Sequence, residues 1–209
     1  MATATLPVSA TAPAAPTAPG PLQPTAYKWT VEDFHWVKYG SQVWEGKKVL
    51  LIDGGLMEMP PPGPIHNTAL GLADYLFKAL FAQGHWVRIQ MPLVFGINTD
   101  PIPDLAVVAG VPRSISTNPS TAVFVLEVSD STVSFDTGEK ASLYAAAGIA
   151  DYWVIDVINR RVVVHRDPTA DAKQKYGHAY ASVNVLLPGQ SLAPLAAASS
   201  PVAVFDLLP

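Results

Sequence analysis

PDLAVV (103–108), FVLEVSDST (124–132) and DTGEKASLYAAAGIADYWVID (136–156) are the three pieces of one stretch around which the rest of the chain is arranged. Ala122 to Val128 is bounded by turn-forming residues and rich in β-branched and aromatic side chains, so it reads as a strand buried on both faces. Glu127 sits near its carboxyl end with no basic neighbour in the sequence. Burying an ionised carboxylate there is costly unless a cation accompanies it. After Asp136, the positions Lys140, Leu143, Tyr144 and Ala147 fall on one helical face, and Gly148 supplies a C-terminal stop. Two readings of Lys140 stand. It is carried inward with Leu143 and Ala147, or it is exposed and paired with Asp136 one turn earlier.

Asp104 follows a Pro-Ile-Pro segment that holds the chain extended, and it opens the strand that continues to Val108. Asp104, Ala106 and Val108 then share a face. A lone Asp in this position also serves commonly as a turn cap. If the Asp104 and Glu127 strands pair antiparallel, the start of one meets the end of the other and both carboxylates reach one sheet edge. Two carboxylates that close repel unless a cation lies between them. Mg²⁺ suits such a pair, because it accepts one or two carboxylates and keeps several waters. A lysine arriving from the helix could orient a water or stabilise charge on a phosphate.

Outward from this stretch, Thr30 with Asp33 resembles a capping box and opens a short helix over 31–39. Lys48–Ile52 and Leu56–Met59 flank Asp53-Gly54-Gly55 as a hairpin, and the prolines at 60–62 end its second strand. Ile65, Ala69, Leu72, Ala73, Leu76, Leu80 and Phe81 recur at helical spacing, which predicts the longest helix of the chain. Strands are expected at 86–90, 93–97, 102–108, 151–157, 161–166, 180–187 and 202–205, with polar loops at 109–120 and 168–178. The alternation gives an α/β or α+β domain with a mixed sheet. Gly54-Gly55 lies in a hairpin, so a phosphate-cradling strand-to-helix loop is not expected.

The chain has 209 residues, no cysteine and a net charge of −4. That length allows one domain, expected over 25–209, behind a tail. The lack of cysteine excludes disulfides and thiolate chemistry and fits a reducing cytoplasm. The acidic balance gives no global basic field for nonspecific nucleic-acid binding. No apolar run approaches the roughly 18 residues of a membrane span, so no membrane partner is expected. Residues 1–24 are Ala-, Pro- and Thr-rich without Lys or Arg, and read as a disordered tail and not as a secretory signal. His35, His66, His85, His165 and His178 show no paired zinc spacing, and no G-x-S-x-G elbow is present.

Taken in order, DGGLMEMPPPGPIHN (53–67), PIPDLAVV (101–108), LEVSDST (126–132), D-x-x-x-K-x-x-x-Y (136–144) and AGIADYWVID (147–156) resemble the Uma-type restriction endonucleases of the PD-(D/E)XK nuclease superfamily. The resemblance spans roughly residues 30–190. It implies a restriction-endonuclease-like core and hydrolysis of DNA phosphodiesters with Mg²⁺ or Mn²⁺. It also implies a homodimer. Asp104 and Glu127 correspond to the metal-holding acids, with the backbone carbonyl near Val128 as a third donor, and Lys140 to the active-site lysine. The superfamily's lysine usually stands two residues after the acid, where this chain has Ser129. Glu58 and His66 match an acidic and a histidine position of the same family, implying a further ligand and a phosphate contact or proton carrier. Against this, a strand-end Glu is usually solvated, and a His at a helix start is more often a capping or surface residue. Asp136 and Tyr144 are expected to support Lys140, and Tyr152-Trp153 to be core. The alternative outcome is a nuclease fold without catalysis that binds nucleic acid or protein.

Overall fold

A computed structural model describes Met1 and residues 24–209. Apart from its first and last residues, the tail expected over 1–24 lies outside the described residues. A six-stranded sheet orders β3 (His85–Ile89), β4 (Leu105–Ala109), β5 (Phe124–Ser129), β6 (Asp151–Asp156), β7 (Arg161–Ala170) and β8 (His178–Leu186) side by side. Every neighbouring pair is antiparallel except β5 and β6, which run parallel. A parallel pair needs a crossover. It is supplied by α3 (Val133–Phe135), a π-helical turn (Asp136–Lys140) and α4 (Ala141–Ala146), which follow one another without a break. The result is an α+β domain with a mixed central sheet, as the residue pattern predicts.

Strand alternation divides the core into two layers. Leu105, Val107, Phe124, Leu126 and Trp153 face α2 (Pro64–Leu80), packing on Ala69, Ala73 and Phe77. Ala106, Val108, Val125, Tyr152 and Val154 face the opposite way, onto Tyr144 and Ala145 of α4. Tyr152 and Trp153 are therefore core, one on each face, at 0 % and 1 % exposure.

Thr30 closes a capping box with Asp33 at the head of α1 (Val31–Gly40). The hairpin of β1 (Lys48–Ile52) and β2 (Gly55–Met59) turns through Asp53 and Gly54, both at positive φ. A side chain at Gly54 would also meet Lys28 at 2.8 Å, so glycine is required there on two counts. The hairpin buries Val49 and Leu51 against Phe34 of α1, and Leu50 and Ile52 against Leu143 of α4. That docking carries Lys48 to the start of β4.

Several boundaries differ from expectation. Residues 93–97 form no strand. Leu93, Val94 and Phe95 donate to Pro101, Pro119 and Thr99, three separate loop carbonyls in place of one ladder. The β4 ladder begins at Leu105, because the Asp104 amide donates to the Glu127 side chain instead. β7 runs on to Ala170, since pairing with β8 at an edge does not need apolar alternation. Beyond β8, β9 (Ser191–Leu192) pairs with β10 (Val202–Ala203). The buried stripe of α2 is His66, Ala69, Leu70, Ala73 and Phe77, while Ile65 is 51 % exposed. The stripe is thus rotated from the one counted from Ile65, and the rotation turns His66 inward.

Candidate active site

Pairing of β4 with β5 aligns Leu105 with Leu126, so the next residue outward on each strand is Asp104 and Glu127. Both sit at the same sheet end, on the face toward α4, at 3 % and 1 % exposure. The two are bonded directly: the Asp104 amide donates to Glu127 Oε2 at 3.3 Å, and the Val128 amide donates to Asp104 Oδ2 at 3.0 Å.

Each carboxylate has its own set of partners. Asp104 accepts from His66 Nε2 at 3.1 Å and from Gln90 Nε2 at 3.3 Å, and lies 3.4 Å from Lys48 Nζ. Glu127 Oε1 accepts from the Tyr144 hydroxyl at 2.8 Å and lies 3.1 Å from Lys140 Nζ. The same ammonium reaches Asp136 at 2.9 Å, and Asp136 is held in turn by the Thr132 hydroxyl at 2.6 Å. Lys140 is 4 % exposed. It is therefore carried inward and not exposed, yet it keeps the pairing with Asp136 that the exposed reading assumed. The π-helical turn that contains Asp136 and Lys140 makes this geometry, and such wide turns recur at functional sites.

Electrostatics separate the two acids. Burial alone would raise Asp104, but the His66 hydrogen bond and the charge of Lys48 outweigh it and hold this carboxyl well below the usual range. Glu127 is pushed up to about 7, chiefly by burial, with Asp104 and Asp136 adding to the rise against the pull of Lys140. For Lys140, burial opposes the charge, yet Glu127 and Asp136 keep it firmly protonated. His66 is raised despite burial because Asp104 stabilises its charged form, and its Nδ1 has no partner.

Lys48, His66, Asp104, Glu127, Asp136 and Lys140 line one small cavity of about 40 Å³ together with the 60–62 prolines and Asp130. Among the described residues no group of three or more His, Asp or Glu side chains is arranged to hold a metal ion. The oxygen donors lining it are the adjacent Asp104 and Glu127 carboxylates, those of Asp130 and Asp136, the hydroxyls of Ser131 and Thr132, and main-chain groups. That set fits a hard cation that keeps its own waters and does not fit zinc.

Glu58 is not part of this cavity. Its side chain is 58 % exposed on β2 and pairs with Lys47 at 3.0 Å. Register explains this, because Glu58 pairs with Val49 and shares the hairpin face toward α1, while Lys48 pairs with Met59 on the opposite face, which meets the cavity. Tyr144 donates to Glu127 Oε1, the same oxygen that Lys140 reaches. Lys48 and Gln90 were not foreseen. Lys48 needed the docking of the hairpin, and Gln90 is turned toward Asp104 by a left-handed backbone at φ 49°.

A solved structure of similar shape is the crystal structure of a "putative nuclease belonging to DUF820" from Anabaena variabilis, at 15 % identity and a TM-score of 0.64. The match covers 86 % of this chain and 97 % of that one, and it shows a shared fold. No curated protein matches the chain. Residues 32–199 match the Uma2 family, described as "Putative restriction endonuclease", and contain every residue of the cavity. With four-fifths of its length inside that match, the chain belongs to the Uma2 family.

Proposed function

We propose that the protein is a divalent-metal-dependent endodeoxyribonuclease whose site is Asp104, Glu127 and Lys140. The observation that carries this reading is the convergence of two adjacent buried carboxylates and one buried ammonium on a single small cavity at a sheet end. Asp104, Glu127 and the Val128 carbonyl would hold Mg²⁺ or Mn²⁺. When bound, the ion would supply Lewis-acid charge and lower the pKa of a coordinated water.

The chain's own groups account for the rest. Asp104 stays ionised at neutral pH because His66 and Lys48 favour its charged form. Tyr144 and Lys140 fix the Glu127 carboxylate from one side, leaving its Oε2 toward Asp104. Lys140, anchored by Asp136, orients the attacking water and remains protonated throughout. Lys48 is more exposed than Lys140, at 26 % against 5 % of its side chain, so it can swing to a phosphate oxygen and offset the charge that grows there. His66, a proton's breadth from Asp104, is placed to hold the phosphate or pass a proton.

A plasmid-cleavage assay with Mg²⁺ tests this directly. Wild type should nick DNA, and Asp104→Ala and Glu127→Ala should not. Equal activity in all three rejects the site. The second reading, a nuclease fold that binds without cutting, draws on one observation. Lys140 already supplies a positive charge between Glu127 and Asp136, so both acids have a cation partner without a metal. Mg²⁺ that leaves wild type unable to cut any DNA, while DNA binding persists, would favour it.

A further inference from the structure

An open concavity of about 620 Å³ lies on the β3 edge of the sheet and shares no lining residue with the carboxylate cavity. Its wall includes Arg88, 3 % exposed, with Trp86, His35 and the polar run Ser116, Thr117 and Asn118. Arg88 Nη2 donates to the Pro92 carbonyl at 3.0 Å and to Asn118 Oδ1 at 3.3 Å. The guanidinium lies over the Trp86 ring, 4.5 Å from its centroid, which fixes its plane. Its Nε has no partner.

Arg88 also lacks a counter-charge. Arg161 and Arg166 each close on a buried aspartate at 2.8 Å, whereas no carboxylate lies within ion-pair distance of Arg88 among the described residues. An arginine does not shed its proton, so burying it unpaired is costly and has to be offset by something that arrives. With Nη2 bonded to the protein and the guanidinium placed over an aromatic ring, Nη1 is the donor left for a phosphate oxygen.

Position says which phosphate. Arg88 pairs with Ala106, which lies two residues along the same strand face from Asp104. Two strand residues span about 6.6 Å. In a DNA duplex each strand advances about 3.4 Å along the axis per nucleotide. A strand with one phosphate at Asp104 and Glu127 therefore carries another past Arg88 within a few steps. We propose that the Arg88 pocket is a phosphate subsite that grips the nucleic-acid backbone a few nucleotides from the position of cleavage. The anion pocket stands on the unpaired guanidinium, while its occupant rests on the nuclease reading above.

The test is binding of a labelled single-stranded oligodeoxynucleotide, followed by fluorescence anisotropy in EDTA across a salt series. Arg88→Met should bind about tenfold more weakly, and its log–log salt slope should be shallower by about 0.7, the loss of one phosphate contact on a single strand. Arg88→Lys should keep the slope and lose part of the affinity. A purely structural arginine would lower the melting temperature and leave the slope alone. Should Arg88→Met not fold, wild type probed with oligonucleotides neutralised at one phosphate at a time, as methylphosphonates, gives the same answer. One position away from the scissile phosphate must weaken binding about as much. Unchanged affinity and slope in a folded Arg88→Met, or no sensitive phosphate, overturns the subsite. If wild type still cuts DNA in a parallel Mg²⁺ assay, the nuclease reading survives that result. A wild type that neither binds nor cuts DNA overturns both. Wild type that binds a deoxynucleoside monophosphate but no oligonucleotide overturns the subsite too, because the occupant is then a free nucleotide.

Discussion

Replacing Lys140 with Met removes the ammonium and keeps most of the side chain's bulk. The lost charge is 4 % exposed and sits 3.1 Å from Glu127 and 2.9 Å from Asp136. Breaking a buried pair by deleting one partner costs about 3–5 kcal/mol, because the other charge is left unbalanced. Glu127 has an escape, since it is already pushed up to about 7 and can take a proton. In the variant its pKa rises further, so the folded chain holds a proton that the unfolded chain, with an ordinary carboxylate, has released. The variant's stability then falls by about 1.4 kcal/mol per pH unit from the ordinary carboxyl value of 4.5 up to the new pKa, whereas the wild-type fall ends near 7, so the variant's deficit grows above about pH 7. Urea titrations at about pH 6 and about pH 8 should show a loss near 3 kcal/mol that is larger at the higher pH by about 1 kcal/mol. Adding Glu127→Gln should recover part of the loss and remove its pH dependence. A loss under about 1 kcal/mol, equal at both pH values, would refute the claim that this ammonium neutralises a buried carboxylate pair.

Two further outcomes follow from placement and burial. Glu58→Gln should leave DNA cleavage unchanged and cost at most about 1 kcal/mol, as expected for an exposed ion pair; a large drop in cleavage would return Glu58 to the site. His165, 3 % exposed beside Tyr152 and Tyr180, is depressed by burial from 6.5 to about 4. Its neutral ring favours the fold fully above pH 6.5, and that advantage is lost as pH falls toward 4, at most about 3 kcal/mol. His165→Phe should therefore melt with a flatter acid dependence than wild type, and parallel curves would contradict the assignment.

The residues that the strands themselves position were readable before any coordinates. Antiparallel pairing of two strands, one opening after Pro103 and one closing at Val128, brings Asp104 beside Glu127 by register alone. Lys140 was readable as inward or paired but not as both, because a π-helical turn does not follow 3.6-residue counting. Partners that depend on docking were hidden. Lys48 reaches Asp104 across 56 residues of chain only because the hairpin settles between α1 and α4. Glu58 was misplaced for the same reason, since alternation in a hairpin says that Lys48 and Glu58 differ in direction but not which direction meets the sheet. The apolar run at 93–97 gave a strand signal, but its amides go to three unrelated loop carbonyls instead of a ladder.

Calorimetric titration of Mn²⁺ into the metal-free protein at about pH 8, where Glu127 is largely ionised, bears most directly on the paired carboxylates. Wild type should bind one ion per chain, and Asp104→Asn and Glu127→Gln, each folded, should each weaken it by more than about tenfold. Wild type that takes up no ion, or three proteins that bind it alike, would contradict the account.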